Sequence, residues 1–322
     1  MTRAFMFLAL ALPTLSGAAV VPEGVVPGHA FDRYTITTPG QPTAVTFYLS
    51  TGADPARPRP LVVWVQGTGC ESHFSGGQGG VPTGGLLTLV RTAAGQDVIA
   101  MGVEKPGVPY LHAEPRRLQD CPADFLRDFT LDHWAATIAA AIAAARALPG
   151  IDPTRVLVMG HSEGGIVAMR VSNVAPGVTH AASLAGGGLV YLFHIAEYVR
   201  GTGGNPDEDV YRCWAQVRAA PTAIDRFCWG GTYRQWASFM ATSILREALA
   251  SRARLYFVHG SADSQNTITG FDALRAELSA AGREAVFERL EGADHALDLP
   301  GRTPPEGLQA TFGRVVRWFA AR

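Results

Sequence analysis

A doubly wound, mostly parallel α/β sheet with helices on both faces is the fold class that this sequence predicts, and three stretches carry the prediction. Apolar Val156–Met159 passes through a glycine-flanked turn into the helical stretch Ile166–Val174. The mostly apolar run Arg254–Val258 leads through a loop into a helix with Phe271, Leu274, Leu278 and Ala281 on one side. A further short strand, Ala285–Leu290, follows that helix. Short buried strands that alternate with amphipathic helices are joined by crossovers, which lays the strands parallel in one sheet and packs the helices against its two faces.

Taken in chain order, the first residues read as a processing signal. Arg3 precedes the apolar stretch Ala4–Leu12, and the small residues Ser16, Gly17, Ala18 and Ala19 then offer a cleavage site. Residues 1–19 are therefore assigned to a signal peptide and 20–322 to the folded domain. The apolar core of that signal is short for a bilayer span, and no later run reaches about 18 apolar residues. A secreted or periplasmic protein without stable membrane insertion of the mature chain is the expectation.

Phe31–Thr37 and Val45–Leu49 form an antiparallel entry to the sheet, and Leu61–Val65 is its third strand. Asp97–Val103 is another strand, and the loop from Glu104 to Cys121 leaves its C-terminal end to border the cleft. Lys105, Arg116 and Arg117 in that loop read as solvated charges and are left out of the site. The alanine-rich segment 135–147 is a helix with Trp134, Ile138, Ile142 and Leu148 on its apolar face, stopped by Pro149-Gly150. Thr179–Ala185 is the sixth strand. The stretch 188–250 that follows is far longer than a crossover needs, and is expected to form a helical cap. Its aromatics, among them Tyr191, Phe193, Trp214, Trp229 and Trp236, serve either the cap's own core or an apolar substrate pocket. Pro304-Pro305 opens a last helix whose buried stripe is Leu308, Phe312, Val315, Val316 and Phe319.

Composition limits the partners. With 47% hydrophobic and 17% charged residues, the chain can bury the core of one large α/β domain with an insertion. A formal net charge of −1 leaves no electrostatic reason for a nucleic-acid or anionic-membrane partner. None of the nine histidines sits at metal-ligand spacing, and neither His-Glu-x-x-His nor Cys-x-x-Cys occurs, so no cofactor or metal is expected. In an oxidising compartment the four cysteines can form two disulfides in three connectivities. The favoured one joins Cys213 to Cys228 as a local staple and Cys70 to Cys121 across two loops near the site; free thiols are the alternative.

The chemistry is concentrated at Gly160-His161-Ser162-Glu163-Gly164, between the strand and helix named first. A strand that turns at once into a helix forces its central residue into a strained backbone, and flanking glycines leave room for the close approach. Ser162 is thereby presented as a nucleophile beneath the positive end of the helix. Downstream, Asp263 follows the strand that ends in His259-Gly260-Ser261-Ala262, and His295 follows the next one in Glu291-Gly292-Ala293-Asp294-His295. A serine hydroxyl attacks only when an imidazole takes its proton, and the imidazole needs a carboxylate to fix its tautomer and stabilise its cation. Asp294 is the weaker candidate acid because a neighbour in sequence rarely reaches the far ring nitrogen, and Asp298 is weaker still. His259 and His161 read as packed structural histidines.

Serine, acid and histidine in this order, with the strand–Gly-x-Ser-x-Gly–helix element, resemble the α/β-hydrolase family over most of the mature chain. The motifs at 259–263 and 292–295 are most similar to dienelactone-hydrolase-like and prolyl-oligopeptidase-like members. The resemblance implies a second oxyanion donor in the loop after the third strand, here Gln66-Gly67-Thr68-Gly69, where Gln66 stands in place of the family's usual histidine. The backbone amides of Thr68 and Glu163 are the expected oxyanion donors; the Glu163 side chain is read as a helix-cap charge. Carboxylic-ester hydrolysis on a small substrate with an apolar part is the first functional expectation. A peptidase or amidase of oligopeptidase type acting on short peptides is the second, disfavoured by the lack of a propeller-sized N-terminal domain. A binding protein that keeps the fold without turnover is the third.

Overall fold

Three strands, β1 (Ala19–Val25), β2 (Phe31–Thr37) and β3 (Val45–Ser50), open the chain as an antiparallel meander. The computed structural model describes residues 19–37, 44–76, 81–303 and 305–321. The predicted signal segment lies outside these except for Ala19, which opens β1, and Pro304 also lies outside. Then come β4 (Arg59–Val65), α1 (Gly85–Ala94), β5 (Ile99–Val103), α2 (Ala123–Asp128), α3 (Leu131–Arg146), β6 (Ile151–His161), α4 (Glu163–Val174) and β7 (His180–Leu184). After β7 the chain forms α5 (Tyr191–Gly201), a π-helical turn (Asp207–Tyr211) and α6 (Arg212–Ala219). A two-residue hairpin, β8 (Phe227–Cys228) and β9 (Gly231–Thr232), leads to α7 (Tyr233–Phe239) and α8 (Ile244–Ala250). The last elements are β10 (Arg254–Gly260), α9 (Ile268–Ala280), β11 (Val286–Leu290) and α10 (Glu306–Ala320).

The main sheet runs β1-β2-β3-β5-β4-β6-β7-β10-β11. β3 pairs antiparallel with β5, and every pair from β5 to β11 is parallel. Along β4 the side chains alternate between two cores: Leu61, Val63 and Val65 belong to one, Val62 and Trp64 to the other. The first core holds α3 and α9 through Trp134, Ile138, Ile142, Phe271 and Leu274; the second holds α1 and α10 through Leu87, Val90, Phe312, Val315 and Phe319. Burial on both faces explains why the central strands read as continuous apolar runs.

β1 was not foreseen, so Leu61–Val65 belongs to the fourth strand and residues 179–185 to the seventh. Pro22 and Gly24 interrupt β1 and shift its register against β2, which is tolerated because β1 lies at the sheet edge. Residues 188–250 form helices, and several of their aromatics pack inward, as the core reading of them has it. Tyr191, Trp236 and Phe239 are buried in the first core, and Trp229 stands edge-on to Trp236 with ring centroids 5.8 Å apart.

Cys70 pairs with Cys121 and Cys213 with Cys228, at Cα–Cα separations of 6.0 and 6.4 Å. Of the described residues, no helix is long and apolar enough to cross a membrane.

Candidate active site

Ser162 occupies the bend between β6 and α4, with φ 57° and ψ −126°. For a residue with a Cβ this is a strained conformation, costing about 1–3 kcal/mol and kept only where its surroundings enforce it. The enforcement is visible: the Ser162 amide donates to the Leu184 carbonyl at 2.8 Å, and the Gly165 amide to the Ser162 carbonyl at 2.9 Å. The two flanking glycines are demanded by space. A Cβ on Gly160 would run into the Gly164 carbonyl, and one on Gly164 into the carbonyls of Val65 and Gln66.

Asp263 and His295 arrive from the ends of β10 and β11. His295 Nε2 lies 3.0 Å from Ser162 Oγ, and its Nδ1 lies 2.8 Å from Asp263 Oδ2. The other carboxylate oxygen of Asp263 accepts from the amides of Gln265 and Asn266 at 2.8 and 2.9 Å, which fixes its plane. Burial pushes the Asp263 carboxyl up, but the hydrogen bond and charge of His295, with help from the Asn266 amide, hold it below the ordinary aspartate value. It therefore stays ionised opposite the imidazole. Neither rival acid makes that contact: Asp294 Oδ1 accepts from the Asp298 amide at 3.0 Å, and Asp298 Oδ1 accepts from the Gly307 amide at 2.5 Å.

Both neighbouring histidines support this chain. Fully buried His259 donates Nε2–H to the Asn266 carbonyl at 2.5 Å and lies 3.4 Å from Asp263 Oδ2. His161 donates to the His295 carbonyl at 2.7 Å, anchoring the backbone of the base; burial, then the charge of His295, lower its pKa to about 4. Adjacency to the serine signals His161 in sequence, but not that it reaches the loop after β11.

Of the two expected oxyanion donors, Glu163 is the next residue after the serine and Thr68 lies in the loop after β4. Gly67 sits so close that a Cβ there would be 3.5 Å from the Ser162 Cβ, and Thr68 lines the same cleft as Ser162 and His295. Glu163 begins α4, so its amide belongs to the first turn of that helix, while its side chain is buried and pushed up to about 6 by that burial against the charge of Lys105. The cleft encloses about 470 Å³. Its walls are Trp64 and Leu86 on the apolar side and Gln66, Glu71, Glu114 and Gln265 on the polar side. These come from the carboxyl ends of the parallel strands and the start of α1, not from residues 188–250, where one of the two readings of the aromatics put an apolar pocket wall.

Lys105 is the group that the sequence reading misplaced. It is 3% exposed rather than solvated, and its ammonium donates to the carbonyls of Gly67 at 2.5 Å and Gly69 at 2.6 Å. Among the described residues no group of three or more His, Cys, Asp or Glu side chains is arranged to hold a metal ion.

No protein-family profile matches the chain, and no curated protein matches its sequence. Solved structures do match. The acylaminoacyl peptidase of Pyrococcus horikoshii aligns with a TM-score of 0.61 and 14% identity, over 90% of this chain and 42% of its own. The propionate-bound esterase Est2 of the planctomycete Thermogutta terrifontis aligns at 0.57 and 17% identity, over 96% of this chain and 95% of its own. A dipeptidyl aminopeptidase IV candidate from Bacteroides ovatus aligns at 0.59 and 13% identity, over 91% of this chain and 36% of its own. The chain thus spans less than half the length of the two peptidases and nearly all of the esterase. All three have the α/β-hydrolase fold, and so does this chain.

Proposed function

We propose that the protein is a serine hydrolase that cleaves carboxylic esters through an acyl-enzyme. The observation that carries this reading is the unbroken chain from Ser162 Oγ through His295 to Asp263, with links of 3.0 and 2.8 Å. Ser162 Oγ attacks the carbonyl carbon as His295 Nε2 takes its proton, and Asp263 stabilises the resulting imidazolium. The amides of Thr68 and Glu163 receive the negative oxygen of the tetrahedral intermediate. His295 returns the proton to the departing alcohol, leaving the acyl group on Ser162. Water then gives a proton to His295 and attacks the acyl carbon, and on collapse His295 passes that proton to Ser162 Oγ, which releases the acid and the free serine.

A cleft of about 470 Å³ with both polar and apolar walls supports a small ester with a short apolar acyl part. The match along nearly the full length of a propionate-bound esterase supports the same choice. Cleavage of a short peptide or amide uses identical machinery and is the second reading, supported by the fold likeness to an acylaminoacyl peptidase. The two cysteine pairs support an exported protein.

The test pairs a fluorophosphonate label with a panel of nitrophenyl esters of increasing acyl length and aminoacyl anilides. Labelling at Ser162 with fastest turnover of acetyl to butyryl esters is the expected result. Faster anilide turnover selects the peptidase reading. Absence of both label and turnover leaves a binding protein on a hydrolase scaffold.

A further inference from the structure

Two adjacent residues of opposite charge at the end of β5, Glu104 and Lys105, are buried at 1% and 3% exposure and grip one loop from two sides. Glu104 Oε1 collects donors: the Tyr48 hydroxyl at 2.7 Å, the His73 amide at 3.1 Å and the Ser72 hydroxyl. Lys105 collects acceptors, the carbonyls of Gly67 and Gly69. Its ammonium sits 4.9 Å from the centre of the Trp134 ring, in the range of cation–π attraction. Carrying an ammonium into a protein interior is costly unless its protons are bonded and its charge is offset. Of the four carboxylates that act on Lys105, Glu163 acts most strongly, and it is the first residue of the helix behind the serine.

The bonding pattern has a stereochemical consequence. In a trans peptide the carbonyl and the following N–H point in opposite directions. A Gly67 carbonyl held by Lys105 therefore turns the Thr68 N–H away from the lysine, and a Gly69 carbonyl held likewise turns away the Cys70 N–H. The second case can be checked directly, because the Cys70 amide meets Glu114 Oε2 at 2.8 Å on the other side of the loop. The first N–H is the one assigned to the oxyanion. We infer that Lys105 is a positioning residue for the oxyanion site: it sets the Gly67–Thr68 peptide so that the Thr68 amide faces the reacting carbonyl.

This inference rests on the hydrolase reading, and the experiment separates the two. Wild-type protein is first labelled with a fluorophosphonate and assayed on a nitrophenyl ester; if it shows neither reaction, the hydrolase reading falls before any variant is compared. With an active wild type, Lys105→Met preserves the length of the stem and removes the charged donor. The expected result is a loss of kcat of about 100- to 1000-fold, the range for removing an oxyanion donor, with KM within about threefold. Affinity for a trifluoromethyl ketone, which forms the tetrahedral adduct, should fall by a similar factor, whereas affinity for the acid product should not change. A purely structural lysine would leave the ratio of those two affinities untouched. Lys105→Met with kcat within threefold of wild type overturns the proposal. Should that variant not fold, the Lys105→Met/Glu163→Gln pair, which removes the lysine and one of the buried carboxylates that act on it, takes its place with the same expectation. If neither folds, Lys105 is a strut of the fold and the positioning role is likewise overturned.

Discussion

Ser162 is presented to the cleft by the backbone bend that holds it, and its φ of 57° is the measure of that hold. Ser162→Ala and His295→Ala should each lower kcat by roughly three to six orders of magnitude while the melting temperature stays close to wild type. Asp263→Asn replaces a carboxylate that accepts from His295 Nδ1 and should cost on the order of 10²–10⁴ in kcat. Asp294→Asn touches only the turn to Asp298 and should cost less than about tenfold. Equal losses in the two aspartate variants would reassign the acid. The three triad candidates were legible because each lies at or just beyond the end of a strand, the buried β6 and β10 for Ser162 and Asp263 and the partly exposed β11 for His295, so a local pattern announces its position. Lys105 was not. A lysine before Pro-Gly in a loop looks solvated, and what buries it are Trp134, Phe129 and the carbonyls of a loop from another strand, none of them near it in sequence.

At the level of elements, strands buried on both faces and helices with a single apolar stripe were read almost to their ends. β2 spans Phe31–Thr37 as anticipated, and α10 buries all five predicted stripe residues. α1 went unread because Gly84 is its N-cap and Gly85 its first residue, and no side chain caps its start. The disulfides divide by the element they restrain. Cys70–Cys121 bridges a separation of 51 residues, and a chain-entropy estimate gives it about 4 kcal/mol, against about 3 kcal/mol for Cys213–Cys228 with its separation of 15. Only the first lies on the loop that carries Thr68. The Cys70→Ser/Cys121→Ser variant, assayed at a temperature where it remains folded, should therefore lose on the order of tenfold to hundredfold in kcat, whereas Cys213→Ser/Cys228→Ser should lose stability with kcat nearly unchanged. The reverse pattern would place the working constraint in the segment 188–250.

Across the whole molecule, acid should loosen the fold. Burial lowers His73 to about 3 and His161, His180 and His194 to about 4. Between those values and the ordinary histidine value of about 6.5 the unfolded chain binds more protons, so the stability these groups lend is complete above about pH 6.5 and drains away as pH falls toward 4. Burial raises Glu104 to about 7 and Glu163 to about 6, which works in the opposite sense, favouring the fold as pH drops through that window. Four groups oppose two, and the melting temperature should be lower at pH 4.5 than at pH 7. A higher value at pH 4.5 would show the two carboxyls dominating.

The sheet order distributes the triad candidates unevenly. Ser162 is rooted on an interior strand, whereas His295 hangs from the loop beyond β11, the outermost and partly exposed one. Opening free energies fall toward sheet margins, where fewer apolar contacts must be given up. On the proposed mechanism, activity would thus be lost by fraying before the domain melts. A brief thermal excursion would disconnect the proton acceptor while leaving the nucleophile seated, and cooling would restore turnover without refolding the domain.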